Sequence, residues 1–233
     1  MSKSLLAIPK GRLYEGISNL FEEIGITLPP ADSRQYYYPD FQKDCSLYIA
    51  KPKAIPELMH AGIADFCLCG LDIMKNNEYY DLMDLLKHTG LNLIRICLCS
   101  RYKTLDELCS LKKPIVCATE FESIAAKEFT ELMHPHYILN TAGSTEGYVE
   151  IGADCIIDVV DTGKSLEANG LYVNKVLFNS DTCLFTHGAL VDSMYPECIE
   201  KLYWHLTNTN IKSMDREHKL KELNNWFNKN KKT

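Results

Sequence analysis

The chain lacks the marks of several large protein classes. A membrane-spanning helix needs about 18 or more apolar residues in a row, and no run comes close; the opening Leu5-Leu6-Ala7-Ile8 is stopped by Pro9. That opening is also too short for a secretory signal core, so a cytoplasmic protein is expected. There is no basic excess: 25 Lys and Arg face 31 Asp and Glu, a net charge of -6. Phosphate backbones select basic surfaces, so nucleic acid is not expected as the main ligand. No His-Glu-x-x-His, Gly-x-Ser-x-Gly or Gly-x-Gly-x-x-Gly occurs, which removes the metalloprotease, hydrolase-elbow and dinucleotide fingerprints. Gly163-Lys164-Ser165 ends like a P-loop, but Asp158 stands where that loop requires glycine.

Cysteine is plentiful, with ten residues, yet no Cys-x-x-Cys pair occurs. Cys67/Cys69 and Cys97/Cys99 lie two apart inside apolar runs, which puts both thiols of each pair on one face of a strand. Buried, reduced thiols are expected, with no zinc site and no disulfides. His134-Pro135-His136 reads as a surface turn.

What remains is ordinary globular material. Of 233 residues, 46% are apolar and 24% charged, which excludes a disordered, collagenous or coiled-coil chain. One large domain or two small lobes fit this length. Short apolar runs read as strands at Leu5 to Ile8, Cys45 to Ile49, Phe66 to Cys69, Leu93 to Cys99, Pro114 to Ala118, Tyr137 to Leu139, Cys155 to Val160, Val173 to Phe178 and Thr182 to Thr186. Leu13, Ile17, Leu20, Phe21 and Ile24 share one helical face, ended by Gly25. Further helices are expected after Pro56, over Ser123 to Met133, at Glu146 to Ile151, from Ser165 and from Pro196. This alternation predicts an α/β fold with mostly parallel sheets. The one composition shift is at the end. Residues 212–233 carry a net +4 and place Leu220, Leu223, Trp226 and Phe227 at helical spacing, a basic amphipathic tail.

Three segments carry chemistry. Cys155 to Val160 runs through Asp158 to Asp161, then Thr162-Gly163-Lys164-Ser165, then a helix. Free N–H groups and partial positive charge at a helix start hold phosphate. Gly163 admits close backbone approach, and Thr162, Lys164 and Ser165 add donors. Acceptors at Asp158 and Asp161 suit ribose hydroxyls, so the segment reads as a ribose-5-phosphate cradle. The competing reading is a plain N-cap at Thr162. The second segment, Pro9-Lys10-Gly11-Arg12, places two cations after the first strand, where ligands of open α/β sheets sit. Solvated loop charge is the alternative. The third, Gly143-Ser144-Thr145-Glu146, is a Gly-containing turn with a carboxylate in its first helical turn. Glu146 favours the helix dipole there, or meets a hydroxyl or a magnesium-bound ligand.

These segments, in order, resemble the catalytic subunit of ATP phosphoribosyltransferase. So does Gly62-Ile-Ala-Asp65-Phe-Cys-Leu-Cys-Gly70-Leu-Asp72, and so does Gly152-Ala-Asp154; the likeness runs over roughly residues 5 to 190. The resemblance implies transfer of phosphoribosyl from phosphoribosyl pyrophosphate to N1 of ATP, the first step of histidine biosynthesis. It implies a two-lobed, type II periplasmic-binding-protein-like fold with helices on both sheet faces and the site in the cleft. Residues 1–90 and 182–211 would form one lobe and 91–181 the other. It also implies roles. Thr162, Gly163, Lys164 and Ser165 hold the 5-phosphate, with Gly143 and Ser144 alongside. Asp158, Glu146 and Asp161 serve the ribose. Lys10, Gly11, Arg12 and Lys51 face pyrophosphate or triphosphate, and Arg34 reaches the nucleotide. Mg2+ would travel with the polyphosphate rather than in a protein cage. About 45 residues follow Gly188, as in the family's short form, which implies a homo-oligomer working with a histidyl-tRNA-synthetase-like regulatory subunit.

The chain departs from the family pattern at Lys51, where arginine is usual, at Ala54, at Cys67-Leu68, at Asn76 and at Glu120, where lysine is usual. Lysine keeps a point charge but loses the bidentate fork. Glu120 is expected to reverse a charge near the nucleotide lobe and to leave the phosphoribosyl cradle intact. A phosphoribosyltransferase with another acceptor base, or a non-catalytic binding protein of the same fold, are the alternative readings.

Overall fold

The computed structural model describes residues 3–161, 163–188 and 195–209. They divide into two compact units, one within Met1–Leu93 and Asp181–Arg216, the other Ile94–Ser180. Thr162 and the basic tail at 212–233 lie outside the described residues.

The first unit is built on a six-stranded sheet in the order β2-β3-β1-β4-β11-β5. These strands are β1 (Ser4–Pro9), β2 (Tyr37–Tyr38), β3 (Cys45–Ala50), β4 (Phe66–Gly70), β5 (Met83–His88) and β11 (Thr182–His187). The central strands are apolar on both faces, as strands covered from both sides must be. Leu6, Ile8, Leu47, Ile49 and Leu68 face α1 (Tyr14–Glu22) and α7 (Glu197–Asn208). Ala7, Cys67, Cys69 and Cys183 face α2 (Ile55–His60) and α3 (Leu71–Lys75). Helix α1 seals its side with Ile17, Leu20 and Phe21, all fully buried. Each such side chain gains about 1.5–3 kcal/mol over leaving it in water.

The second unit holds five strands in the order β10-β6-β9-β7-β8. They are β6 (Ile94–Ser100), β7 (Ile115–Thr119), β8 (His136–Asn140), β9 (Cys155–Val160) and β10 (Tyr172–Ser180). Ile96, Leu98, Cys117, Cys155 and Ile157 pack against Leu108 of α4 (Leu105–Cys109) and Phe129 of α5 (Glu122–Glu131). Cys97, Cys99, Ala118 and Ile156 line the other face, against Leu166 of α6 (Lys164–Ala168). Each Cys-x-Cys pair therefore does share one face, and nine of the ten cysteines are buried with Cys109 half-buried.

The expectation of mostly parallel sheets needs correction, because both sheets are mixed. Parallel pairing holds for β3-β1-β4 and for β9-β7-β8. Antiparallel pairing holds for β2-β3, β4-β11, β11-β5, β10-β6 and β6-β9. The reason is the chain's path. It leaves the first unit after β5 and returns as β11, so an outgoing and an incoming strand lie side by side in each sheet and run in opposite directions. Asp181, expected with the second lobe, belongs to the first unit. Its carboxylate is bonded there by His88 Nδ1 at 2.6 Å and by the Gly90 N–H at 2.8 Å.

Several motif aspartates turn out to be struts. Asp65 accepts the Leu5 N–H at 2.7 Å. Asp154 accepts the Val116 N–H at 2.9 Å and the Lys113 ammonium at 2.7 Å. At Gly70 a Cβ would stand 2.6 Å from Asp72 Oδ1, so only glycine fits beside that carboxylate.

Candidate active site

In the second unit the candidate residues collect beyond the carboxyl ends of β7, β8 and β9. Register sets this arrangement: Thr119, the last residue of β7, pairs with Ile157, so Asp158 lies one step past the end of β7. After β8 the chain turns through Gly143 and Ser144, which adopts φ 51°, into a 3-10 turn at Thr145–Val149. Glu146 on that turn accepts a hydrogen bond from the Ser165 hydroxyl at the start of α6. Thr141 and Thr145 hydroxyls meet at 3.2 Å and brace the turn from inside.

Asp158 is the electrostatically loaded member. Burial raises its carboxyl above the ordinary range, and the charges of Glu146 and Glu120 push the same way. The Val159 N–H, at 2.6 Å from Oδ1, and the Thr145 hydroxyl hold it back. Asp158, Glu146 and Ser165 are thus brought together. Asp161 stands exposed at the bend after β9, and its charge acts on the buried Arg95 of β6. Sequence reasoning did not single out Arg95.

The turn into α6 differs from a plain Thr162 cap. The N-cap position is Gly163, with φ 74° and no side-chain cap, and the helix starts at Lys164. That left-handed backbone costs an L-residue roughly 1–2 kcal/mol, so glycine is favoured there. Lys164 and Ser165 are exposed at the helix start.

Glu120 lies close to the candidate residues of the second unit. It belongs to the second unit, where its Oε1 would lie 3.8 Å from a Cβ on Gly143, and its charge reaches Asp158. The departure at Glu120 therefore adds negative charge to the surroundings of Asp158. Distance along the chain hid this proximity.

In the first unit, parallel pairing of β1 with β3 puts Pro9 opposite Ala50. The Lys10 N–H bonds the Ala50 carbonyl at 2.8 Å, so Lys10 and Lys51 emerge at neighbouring strand ends. Gly11 turns the chain, and Arg12 and Lys51 are exposed. Lys10 Nζ lies 5.0 Å above the Tyr36 ring, and Tyr36 is itself held to β3 through the Ile49 N–H at 2.8 Å. Tyr36 was missed, although the run Tyr36-Tyr37-Tyr38 offered a signal. Arg34 is exposed in the loop before β2.

For metals, the only three metal-type donors gathered within 4.8 Å among the described residues are His88, Asp181 and Cys183. The carboxylates around Asp158 form no such set. Among the described residues no helix is long and apolar enough to cross a membrane.

Both units are open α/β sheets with their candidate residues at strand ends, and solved structures share this architecture. The ATP phosphoribosyl transferase (HisG:HisZ) complex from Thermotoga maritima aligns with a TM-score of 0.72 at 21% identity, over 88% of this chain and 98% of that one. A periplasmic His/Glu/Gln/Arg/opine family-binding protein from Silicibacter pomeroyi aligns at 0.55 and 13% identity, over 97% of both chains. The fold is the type II periplasmic-binding-protein-like class. Sequence comparison then narrows the class. The family profile described as ATP phosphoribosyltransferase matches residues 51–208. An ATP phosphoribosyltransferase from Pyrobaculum islandicum is 33% identical over 78% of this chain, which spans 65% of that relative's length. One from Bacillus cereus is 29% identical over 82% of this chain and 90% of its own. The chain belongs to the ATP phosphoribosyltransferase family, whose enzymes transfer phosphoribosyl from phosphoribosyl pyrophosphate to ATP in histidine biosynthesis.

Proposed function

We propose that this chain carries out that reaction itself, with the β9-to-α6 turn holding the phosphoribosyl group. The observation that carries the reading is the junction of Ser165, Glu146 and Asp158 beside Gly163. Thr162, Gly163, Lys164 and Ser165 take the 5-phosphate, with Gly143 and Ser144 shaping the neighbouring turn. Asp158 and Glu146 accept from the ribose hydroxyls, and Asp161 supports them. Lys10, Arg12 and Lys51, about the Gly11 turn, meet the pyrophosphate or triphosphate, and Arg34 reaches the nucleotide.

In the reaction the C1–oxygen bond of the ribose breaks, and its electron pair leaves on pyrophosphate. The N1 lone pair of adenine forms the new C1–N bond, and a proton passes from the adenine to water. The sugar carbon gains oxocarbenium character, so Asp158 and Glu146 supply negative charge where positive charge develops. No covalent intermediate on the protein is required, and positioning provides much of the effect. Magnesium arrives as part of the polyphosphate substrates, since it keeps phosphate and water ligands in preference to an all-protein cage. We place the enzyme in the cytoplasm, without nucleic-acid or membrane partners, as a homo-oligomer. A histidyl-tRNA-synthetase-like subunit is the proposed regulatory partner, supported by the two-component complex of the Thermotoga maritima relative.

Pyrophosphate release from phosphoribosyl pyrophosphate, measured across a panel of nucleotides and free bases, tests the acceptor. Release with ATP alone is expected. Release with a different base and none with ATP would replace the acceptor.

A further inference from the structure

We propose that His88, Asp181 and Cys183 form a binding site for a single divalent transition-metal ion of zinc type, separate from the ribose-phosphate residues. The three donors come from two strands paired by the sheet. Cys183, second residue of β11, is the direct cross-strand partner of His88, last residue of β5. Asp181 precedes Cys183 by two residues and so shares its face. His88 Nδ1 lies 2.6 Å from Asp181 Oδ1 and 3.3 Å from Cys183 Sγ, and Sγ lies 3.4 Å from Oδ1.

These distances are those of a coordination face. Zinc bonds of about 2.0–2.3 Å to N, O and S in a tetrahedron imply donor separations of roughly 3.3–3.6 Å. Both edges that include sulfur already fall at or near that range. The remaining N···O edge opens by a small rotation of the His88 ring, which is 35% exposed while Asp181 is fully buried. Entry is therefore from the histidine side, which leaves the fourth position to water. Asp181 is also oriented from behind, because its other oxygen accepts the Gly90 N–H at 2.8 Å; such outer bonds fix metal ligands in place.

A nucleophilic Cys-His-Asp relay does not fit. A relay uses opposite nitrogens of the imidazole for the nucleophile and the carboxylate. Here thiol and carboxylate meet the same Nδ1, as they do when all three converge on one point. The mixed imidazole, carboxylate and thiol set favours zinc over magnesium or calcium. The incoming ion displaces the thiol proton, which passes to buffer. Spacing arguments could not find the site, because its ligands stand 95 residues apart in sequence.

The test is titration of the reduced, metal-free full chain with Co2+, followed by displacement with Zn2+. One equivalent of Co2+ per chain, with a thiolate-to-cobalt charge-transfer band that zinc abolishes, is expected. Cys183→Ser and His88→Gln should each lose the band, while Cys109→Ser, which alters the half-buried thiol, should keep it. His88→Gln changes a partly exposed side chain, so it remains informative if Cys183→Ser folds poorly. No thiolate band in the parent chain, or a band that survives both Cys183→Ser and His88→Gln, would overturn the site.

Discussion

Asp158 is held with its carboxyl raised above the ordinary value by burial, reinforced by Glu146 and Glu120. The linkage has a definite sign. A carboxyl raised on folding gives its full contribution below the unfolded value, near 3.8, and loses it as pH rises through the folded value. At neutral pH the ionised group thus opposes folding, a cost that a merely structural position would not carry. Asp158→Asn is predicted to raise the melting temperature at pH 7 while lowering turnover. The stability gain should shrink as the pH falls and the carboxyl takes up its proton, and should vanish below the unfolded value. Thermal melts from about pH 4 to 8 check this; a wild-type chain more stable than the variant at pH 7 would contradict the burial argument.

At the scale of elements, α4 shows what one turn signal contributes. Thr104 Oγ1 accepts the Glu107 N–H at 3.1 Å, and the Glu107 carboxylate accepts the Lys103 N–H at 2.9 Å. This is a variant of the Thr-x-x-Glu cap, in which the glutamate takes the N–H one residue before the cap. Thr104→Ala should cost about 0.5–2 kcal/mol, read by denaturant titration; no change in the midpoint would remove the cap from the account. The strands offer a second test. The strands hide eight thiols and helix α7 a ninth, that of Cys198, and burial pushes the Cys97 thiol up to about 12. In the native protein at most one thiol per chain, that of Cys109, should react with a disulfide reagent, and all ten should react after unfolding. Rapid labelling of several native thiols would show that the strands are not closed over.

Most strands were legible because central strands such as β1 and β4 are short, continuous apolar runs bounded by proline or glycine. Helix α1 was legible from its apolar spacing. What escaped had weaker local signals. Helix α4 has only five residues and one local mark, its Thr104 cap, and α3 follows β4 directly at Gly70 with no break in the apolar run. Strand β5, Met-Asp-Leu-Leu-Lys-His, lacks clean alternation because it lies at a sheet edge and is mostly half-buried. In the site, the order Asp158, Gly163, Ser165 was visible because a strand-to-helix turn is local. The approach of Glu120 to Gly143, of Lys10 to Tyr36 and of His88 to Cys183 depends on strand pairing, which single-sequence periodicity does not encode.

For the molecule as a whole, each unit supplies a different charge. The first presents Lys10, Arg12 and Lys51 near strand ends, and the second presents carboxylates around Asp158 together with Lys164 and Ser165. Addition of the proposed regulatory subunit should raise turnover of the chain, measured as pyrophosphate release with both proteins against the chain alone; equal rates would argue that the chain acts without it. The most direct test compares pyrophosphate release from phosphoribosyl pyrophosphate and ATP by the wild-type chain and by Asp158→Asn. Losing a preorganised charge contact at the reacting centre costs on the order of 100-fold in rate. The account predicts ATP-dependent release by the wild-type chain and a loss of about that size in a folded Asp158→Asn. Near-wild-type release by the variant, or release that does not require ATP, would contradict it.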